Sequence, residues 1–172
     1  MGITIHYRGQ LKSPKLIEQV CLKLKEIAKL MEWEYTLLDE DFNKPKTAKL
    51  KHRDDGLSIT GHLPLKGIQL KIHKECDPFS ILFNKNGVLP DIVQMTTDNS
   101  EDDEETSYIH VKTQYAPLEM HIAIIQLLKY LNEYYFDSLE VIDEGEYWKT
   151  ENEDLLRQKM KYLSEKMDAV SQ

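Results

Sequence analysis

Ile3-Thr4-Ile5-His6-Tyr7-Arg8-Gly9-Gln10 and Tyr108-Ile109-His110-Val111-Lys112-Thr113-Gln114 are two versions of one pattern, and their relation decides how the chain is organised. Ile5, His6 and Gln10 align with Ile109, His110 and Gln114, and the cation Arg8 aligns with Lys112. A helical stretch follows each, opened by Pro14 and by Pro117. Leu38, Asp39, Glu40 then aligns with Ile142, Asp143, Glu144 at the same offset. Residues 3–41 and 107–144 therefore read as an internal repeat of strand, helix and strand. Equivalent strands are expected at equivalent places about a pseudo-twofold axis.

Working outward, Ser13 caps a helix with Pro14 at its first position, and Ile17, Val20, Cys21, Leu24, Ile27, Ala28, Met31 make one apolar stripe. Trp33 to Leu38 reads as a strand. Leu57 to His62 and Ile68 to His73 alternate apolar with polar residues and are expected to form a hairpin. A shorter hairpin is expected where Ser80–Phe83 and Val88–Leu89 flank Asn84, Lys85, Asn86, Gly87, because Asn and Gly tolerate the positive φ of a tight turn. The second helix spans about Pro117 to Tyr135, and a strand follows at Leu139 to Ile142. A last helix is expected from Thr150, with Glu153 completing a capping box.

The chain has 172 residues, 41% of them hydrophobic, which suits a single domain over residues 1–172. No apolar run reaches the ~18 residues of a membrane span. Cys21 and Cys76 have no neighbour at zinc-ligand spacing and read as packing residues. A cytoplasmic protein is expected. Net charge is −8, divided unevenly: Met1 to Glu75 carries 14 Lys and Arg against 10 Asp and Glu, the remainder 8 against 20. Lys44, Lys46, Lys49, Lys51 and Arg53 make a basic connection, while residues 98–106 read as an acidic flexible loop.

This order of elements builds an α+β fold, with one curved, mainly antiparallel sheet and its helices on one face. It is similar first to the duplicated saddle of TATA-binding-protein-like folds and second to a ferredoxin-like sandwich, and neither likeness implies a function.

The alternation has a chemical consequence. If Ile3, Ile5, Ile59, Ile68, Leu70, Ile72, Ile109 and Val111 point toward the helices, the opposite face carries Thr4, His6, Arg8, Thr60, His62, Gln69, Lys71, His73, Tyr108, His110 and Lys112. Of these, His6, Arg8, His62, Lys71, His73, Tyr108, His110 and Lys112 are the candidate binding residues, and no carboxylate is expected among their strands. Histidine, arginine, lysine and tyrosine all donate hydrogen bonds, so the face suits an anion, a phosphate or an acidic protein segment. The acidic pI of about 5.3 argues against nucleic acid.

Asp39, Glu40, Asp41 and Asp143, Glu144, Glu146 end equivalent strands and read first as strand ends solvating turns. Glu119 and His121 are two apart and so face different ways, which makes His121 a satisfied histidine near the core. Tyr147 and Trp148 are expected to pack beneath the last helix. No phosphate-cradling glycine signature, serine elbow, zinc-protease helix or redox cysteine pair occurs. The expectation is a non-catalytic binding or regulatory domain with no cofactor, holding a protein or a small anionic ligand on the His and basic face. The alternatives are a metal-assisted hydrolase using strand histidines with strand-end Asp or Glu, and a homodimeric assembly protein.

Overall fold

A computed structural model describes residues 3–54, 56–97 and 108–170. The acidic run 98–106 lies outside them. The strands form several antiparallel sheets rather than the single sheet expected. In the first, β1 (Thr4–Leu11) lies between β7 (Ile109–Lys112) and β8 (Phe136–Asp143), antiparallel to both. In the second, β5 (Lys66–Lys71) lies between β2 (Glu34–Asp39) and β6 (Phe79–Phe83). A separate hairpin joins β3 (Lys49–Arg53) to β4 (Gly56–Thr60). The helices are α1 (Ile17–Leu30), α2 (Ile92–Thr97), α3 (Leu118–Tyr134), α4 (Tyr147–Thr150) and α5 (Glu153–Val170). No helix among the described residues is long and apolar enough to cross a membrane.

The Asn84–Gly87 turn forms as its residues predict, but the hairpin expected of Ser80–Phe83 with Val88–Leu89 does not, since β6 pairs with β5 and Val88 with Gln10. The Asn84 side chain accepts from the N–H groups of Asn86 and Val88, and Gly87 takes φ +74°, which a glycine adopts without strain. Val88 then bridges to Gln10, with Leu11 N donating to Gly87 O at 2.9 Å and Leu89 N to Gly9 O at 3.0 Å. This short return strand stitches the second sheet to the first. Tyr7 reinforces the seam: its ring is 5.6 Å from that of Phe79 and its hydroxyl donates to Ser80 O at 2.7 Å. One hydrophobic cluster takes side chains from both three-stranded sheets, α1 and α3.

The expected hairpin of Leu57–His62 with Ile68–His73 does not form. β4 pairs backward with β3, Leu50 opposite Ile59, and β5 is claimed on both edges by β2 and β6. The basic connection is therefore partly a strand, whose single apolar residue, Leu50, gave too little alternation to show. The last helix also starts later than expected. Thr150 ends α4, its hydroxyl donating to Glu146 O, and the cap is Asn152, whose side chain accepts from Leu155 N at 3.1 Å. Of the α5 stripe only Leu156 is fully buried.

The two segments expected to be a repeat each run strand, helix, strand, but in unequal surroundings. In the β1–β7 ladder the aligned residues His6 and His110 sit directly opposite each other. Beyond that ladder the correspondence breaks: β8 pairs with β1, whereas β2 pairs with β5 in the other sheet.

Gly67 marks the tightest strand contact in the second sheet. A Cβ there would strike Ile81 O and come within 2.7 Å of Leu82 Cα, both backbone atoms unable to move aside. Gly67→Ala should cost about 1–3 kcal/mol. It should lower Tm by several degrees in thermal unfolding, and an unchanged Tm would show that this ladder has slack.

Candidate functional site

The outward face of the first sheet brings five of the eight candidate residues together. His6 and His110 are cross-strand partners with ring centroids 6.1 Å apart. The Arg8 guanidinium lies 4.3 Å above the Tyr108 ring. Lys112 completes β7, opposite Thr4. Thr4 was expected on this open face but is buried at the strand end, where its N–H donates to Glu144 Oε2.

Two carboxylates also stand on this face, brought there by β8, which carries none of the candidate residues. β8 pairs with β1 so that Glu140 is opposite Arg8, and Glu144 follows just beyond its end. Arg8 donates from Nε at 3.2 Å and Nη2 at 3.0 Å to Glu140 Oε2, and the Tyr108 hydroxyl donates to the same oxygen at 2.8 Å. The Tyr108 hydrogen bond, then Arg8, holds the Glu140 carboxyl below its usual range. His6 Nε2 lies 3.2 Å from Glu144 Oε1. Arg8 and His6 are thus committed internally, while the side chains of His110 and Lys112 have no hydrogen bond or ion pair among the described residues. Ile142, directly opposite His6, is 51% exposed and adds an apolar spot.

The other three candidates belong to the second sheet and its flanking turns. His62 contacts the end of β2, with Nε2 3.0 Å from Asp41 O and Nδ1 3.4 Å from Glu40 Oε2. Lys71 faces Glu34 across the strands at 3.8 Å. His73 Nδ1 accepts from Glu75 N and stabilises a turn. Among the described residues no three His, Cys, Asp or Glu converge in a way that could hold a metal ion.

A different polar group is sealed inside. His121, on the first turns of α3, has Nδ1 2.6 Å from Thr113 Oγ1 and Nε2 2.9 Å from Asp143 Oδ1, the latter a charge contact off the N–H axis. Asp143 also accepts from Gly145 N at 2.8 Å and Trp148 N at 2.9 Å. Burial pushes its carboxyl upward, but His121 and the two backbone donors outweigh burial and leave it below the usual range. Hydroxyl, imidazole and carboxylate in a row resemble a nucleophile array. Here Thr113 and His121 are fully buried and the Asp143 side chain is 1% exposed, so no substrate reaches the hydroxyl. The group is structural; His121 is buried as expected, but it is not the satisfied histidine expected, because Nε2 has no hydrogen-bond partner.

A cleft of about 510 Å³ lies between α1 and β2, lined by Lys15, Cys21, Leu22, Lys25, Leu37 and Phe42 among others. Sequence reasoning missed it, because it depends on how far α1 reaches across the sheet. Burial pushes the Cys21 thiol up to about 11, so it is protonated at neutral pH and no ready nucleophile.

No family model matches the chain, and no curated protein or solved structure does.

A carboxyl whose folded-state pKa lies below its unfolded value stabilises the fold at pH above about 4. That contribution is lost as pH falls through the folded-state value. Urea midpoints of the wild type should therefore drop on acidification. Asp143→Asn should be less stable at neutral pH by about 3 kcal/mol or more and show a flatter acid limb. Equal acid limbs would show that other carboxylates set the pH dependence.

Proposed function

We propose that the protein is a non-catalytic binding domain that receives an acidic partner segment on the outward face of its first sheet. The observation that carries this reading is the division of labour on that face. Arg8, Tyr108 and His6 are fixed by Glu140 and Glu144, while His110 and Lys112, adjacent along β7, keep their donors for an incoming anion. Arginine, tyrosine and an exposed isoleucine are also residue types that anchor protein partners when held rigid. The paired carboxylates favour a protein segment of mixed character over a bare polyanion such as nucleic acid, because the face as a whole is close to neutral.

Three finer readings accompany it. The β8–β1–β7 arrangement, with α3 connecting the flanking strands, favours a ferredoxin-like kinship over a saddle. The facing of His6 and His110 supports an origin by internal repetition. Two unpaired cysteines favour a reducing compartment such as the cytoplasm.

A labelled peptide that interleaves glutamate with leucine and tyrosine, at low salt, is a direct probe. Glu140→Gln with Glu144→Gln should release Arg8 and His6 and tighten binding, whereas His110→Ala with Lys112→Ala should weaken it, each by about threefold or more. Opposite signs for the two variants are the expected signature; wild-type protein that does not bind, or two variants that both match it, would remove the proposal.

A further inference from the structure

Across the second sheet, cross-strand neighbours Leu37, Ile68 and Ile81 point to the same side, toward α1. Ile68 and Ile81 are fully buried there, yet Leu37 is 46% exposed. The helix packs on β5 and reaches β2, yet it leaves Leu37 uncovered. Its own Leu22 is 59% exposed above the gap, and the cleft of about 510 Å³ is the space between them. The geometry points to a missing strand: the outer edge of β2 is where an extended segment of a partner protein docks by strand addition. The segment places an apolar side chain between Leu22 and Leu37 and an acidic one beside Lys25. This surface is separate from the outward face of the first sheet.

Three features of the edge carry the inference. First, among the described residues no strand pairs with the outer side of β2. Its ladder with β5 runs without a shift from Glu34 opposite Lys71 to Asp39 opposite Lys66, leaving a straight template of backbone donors and acceptors. Second, β2 lacks the devices that blunt an edge. It holds no proline, lysine or bulge, and its terminal acids are engaged by cross-strand lysines, Asp39 with Lys66 at 3.2 Å and Glu34 with Lys71 at 3.8 Å. Third, the chemistry above the edge is amphipathic in a fixed order. Lys15, Glu18, Leu22 and Lys25 follow one another at helical spacing along the cleft, and the Lys15 and Lys25 ammonium groups have no ion pair among the described residues. A strand about 4.8 Å beyond β2 would turn every second side chain into this space.

Because α1 and β2 are joined by a short turn and run in opposite directions, Lys25 lies toward the Tyr35 end and Lys15 toward the Asp39 end. The inward positions of the incoming strand therefore read apolar opposite Leu37 and acidic opposite Tyr35. A second copy of this chain fits worse. A twofold pairing of β2 with itself centred on Thr36 offers Leu37 rather than an acid opposite Tyr35, and one centred on Leu37 offers only Asp39, already engaged by Lys66, while setting Glu34 against Glu40 of the other copy.

The test titrates the full chain into fluorescein-labelled capped peptides in which threonine alternates with leucine, valine, glutamate or lysine, read by anisotropy. Peptides with leucine and glutamate at successive alternate positions should bind. N-methylation of every second amide on the pairing edge should abolish binding while leaving the side chains intact. Leu22→Glu should weaken it about tenfold or more, and Lys25→Glu should switch the preference from glutamate to lysine at the same peptide position. Leu22 is exposed and Lys25 half-buried at the cleft, neither in the core, so circular dichroism should match the wild type. The inference is overturned if no peptide in the set binds, or if N-methylated peptides bind equally well. It is also overturned if decanoate fills the cleft while peptides do not, or if light scattering shows a dimer that Leu37→Glu dissolves.

Discussion

A strand in the interior of a sheet must satisfy its backbone donors and acceptors along both edges, and β1 does so with three separate pieces of chain. β8 runs along one edge; on the other, β7 covers Thr4 to Tyr7 and the Gly87–Leu89 segment takes over at Gly9 to Leu11. Those pieces lie far apart in the sequence, so β1 cannot be satisfied until most of the chain is in place. Its buried side chains, Ile5, Tyr7 and Leu11, enter the shared hydrophobic cluster in the same event. Such long-range closure favours cooperative, slow folding over local assembly.

The second constraint is the sealed group at the other end of the first sheet. Asp143 finishes β8, yet its carboxylate reaches α3 through His121 and the Gly145–Trp148 turn through two N–H groups. Gly145 must lack a side chain here, since a Cβ would lie 2.5 Å from Leu156 Cδ1 and 3.0 Å from His121 Nε2. Leu156, the one fully buried residue of α5, thus closes the pocket over the charge. A buried acid of this kind contributes less to net stability than to uniqueness, because any arrangement that misplaces it leaves a charge without partners.

Much of this was legible locally. Ser13 and Pro14 marked the start of the first helical stretch, Asn84 to Gly87 marked a turn, and alternation in β1 separated Ile5 and Tyr7 from His6 and Arg8, because each depends on residues close in sequence. What was not legible was partnership. Alternation says which way a side chain points but not which strand lies beside it, so β4 was assigned to β5 when its partner was β3. The same gap hid Glu140 and Glu144, whose own strand was recognised but whose place next to β1 was not. It hid the cleft as well, which is defined by where a helix ends relative to a sheet edge. His121 was placed correctly near the core, but its pairing with Asp143 is a contact between residues that no spacing rule connects.

His6 and His110 occupy matching positions in the two similar segments and also face each other across the ladder. Here each residue is part of the other's surroundings. A change of size or charge at one position alters the environment of its counterpart at once, so neither ring can be altered without a consequence for the other.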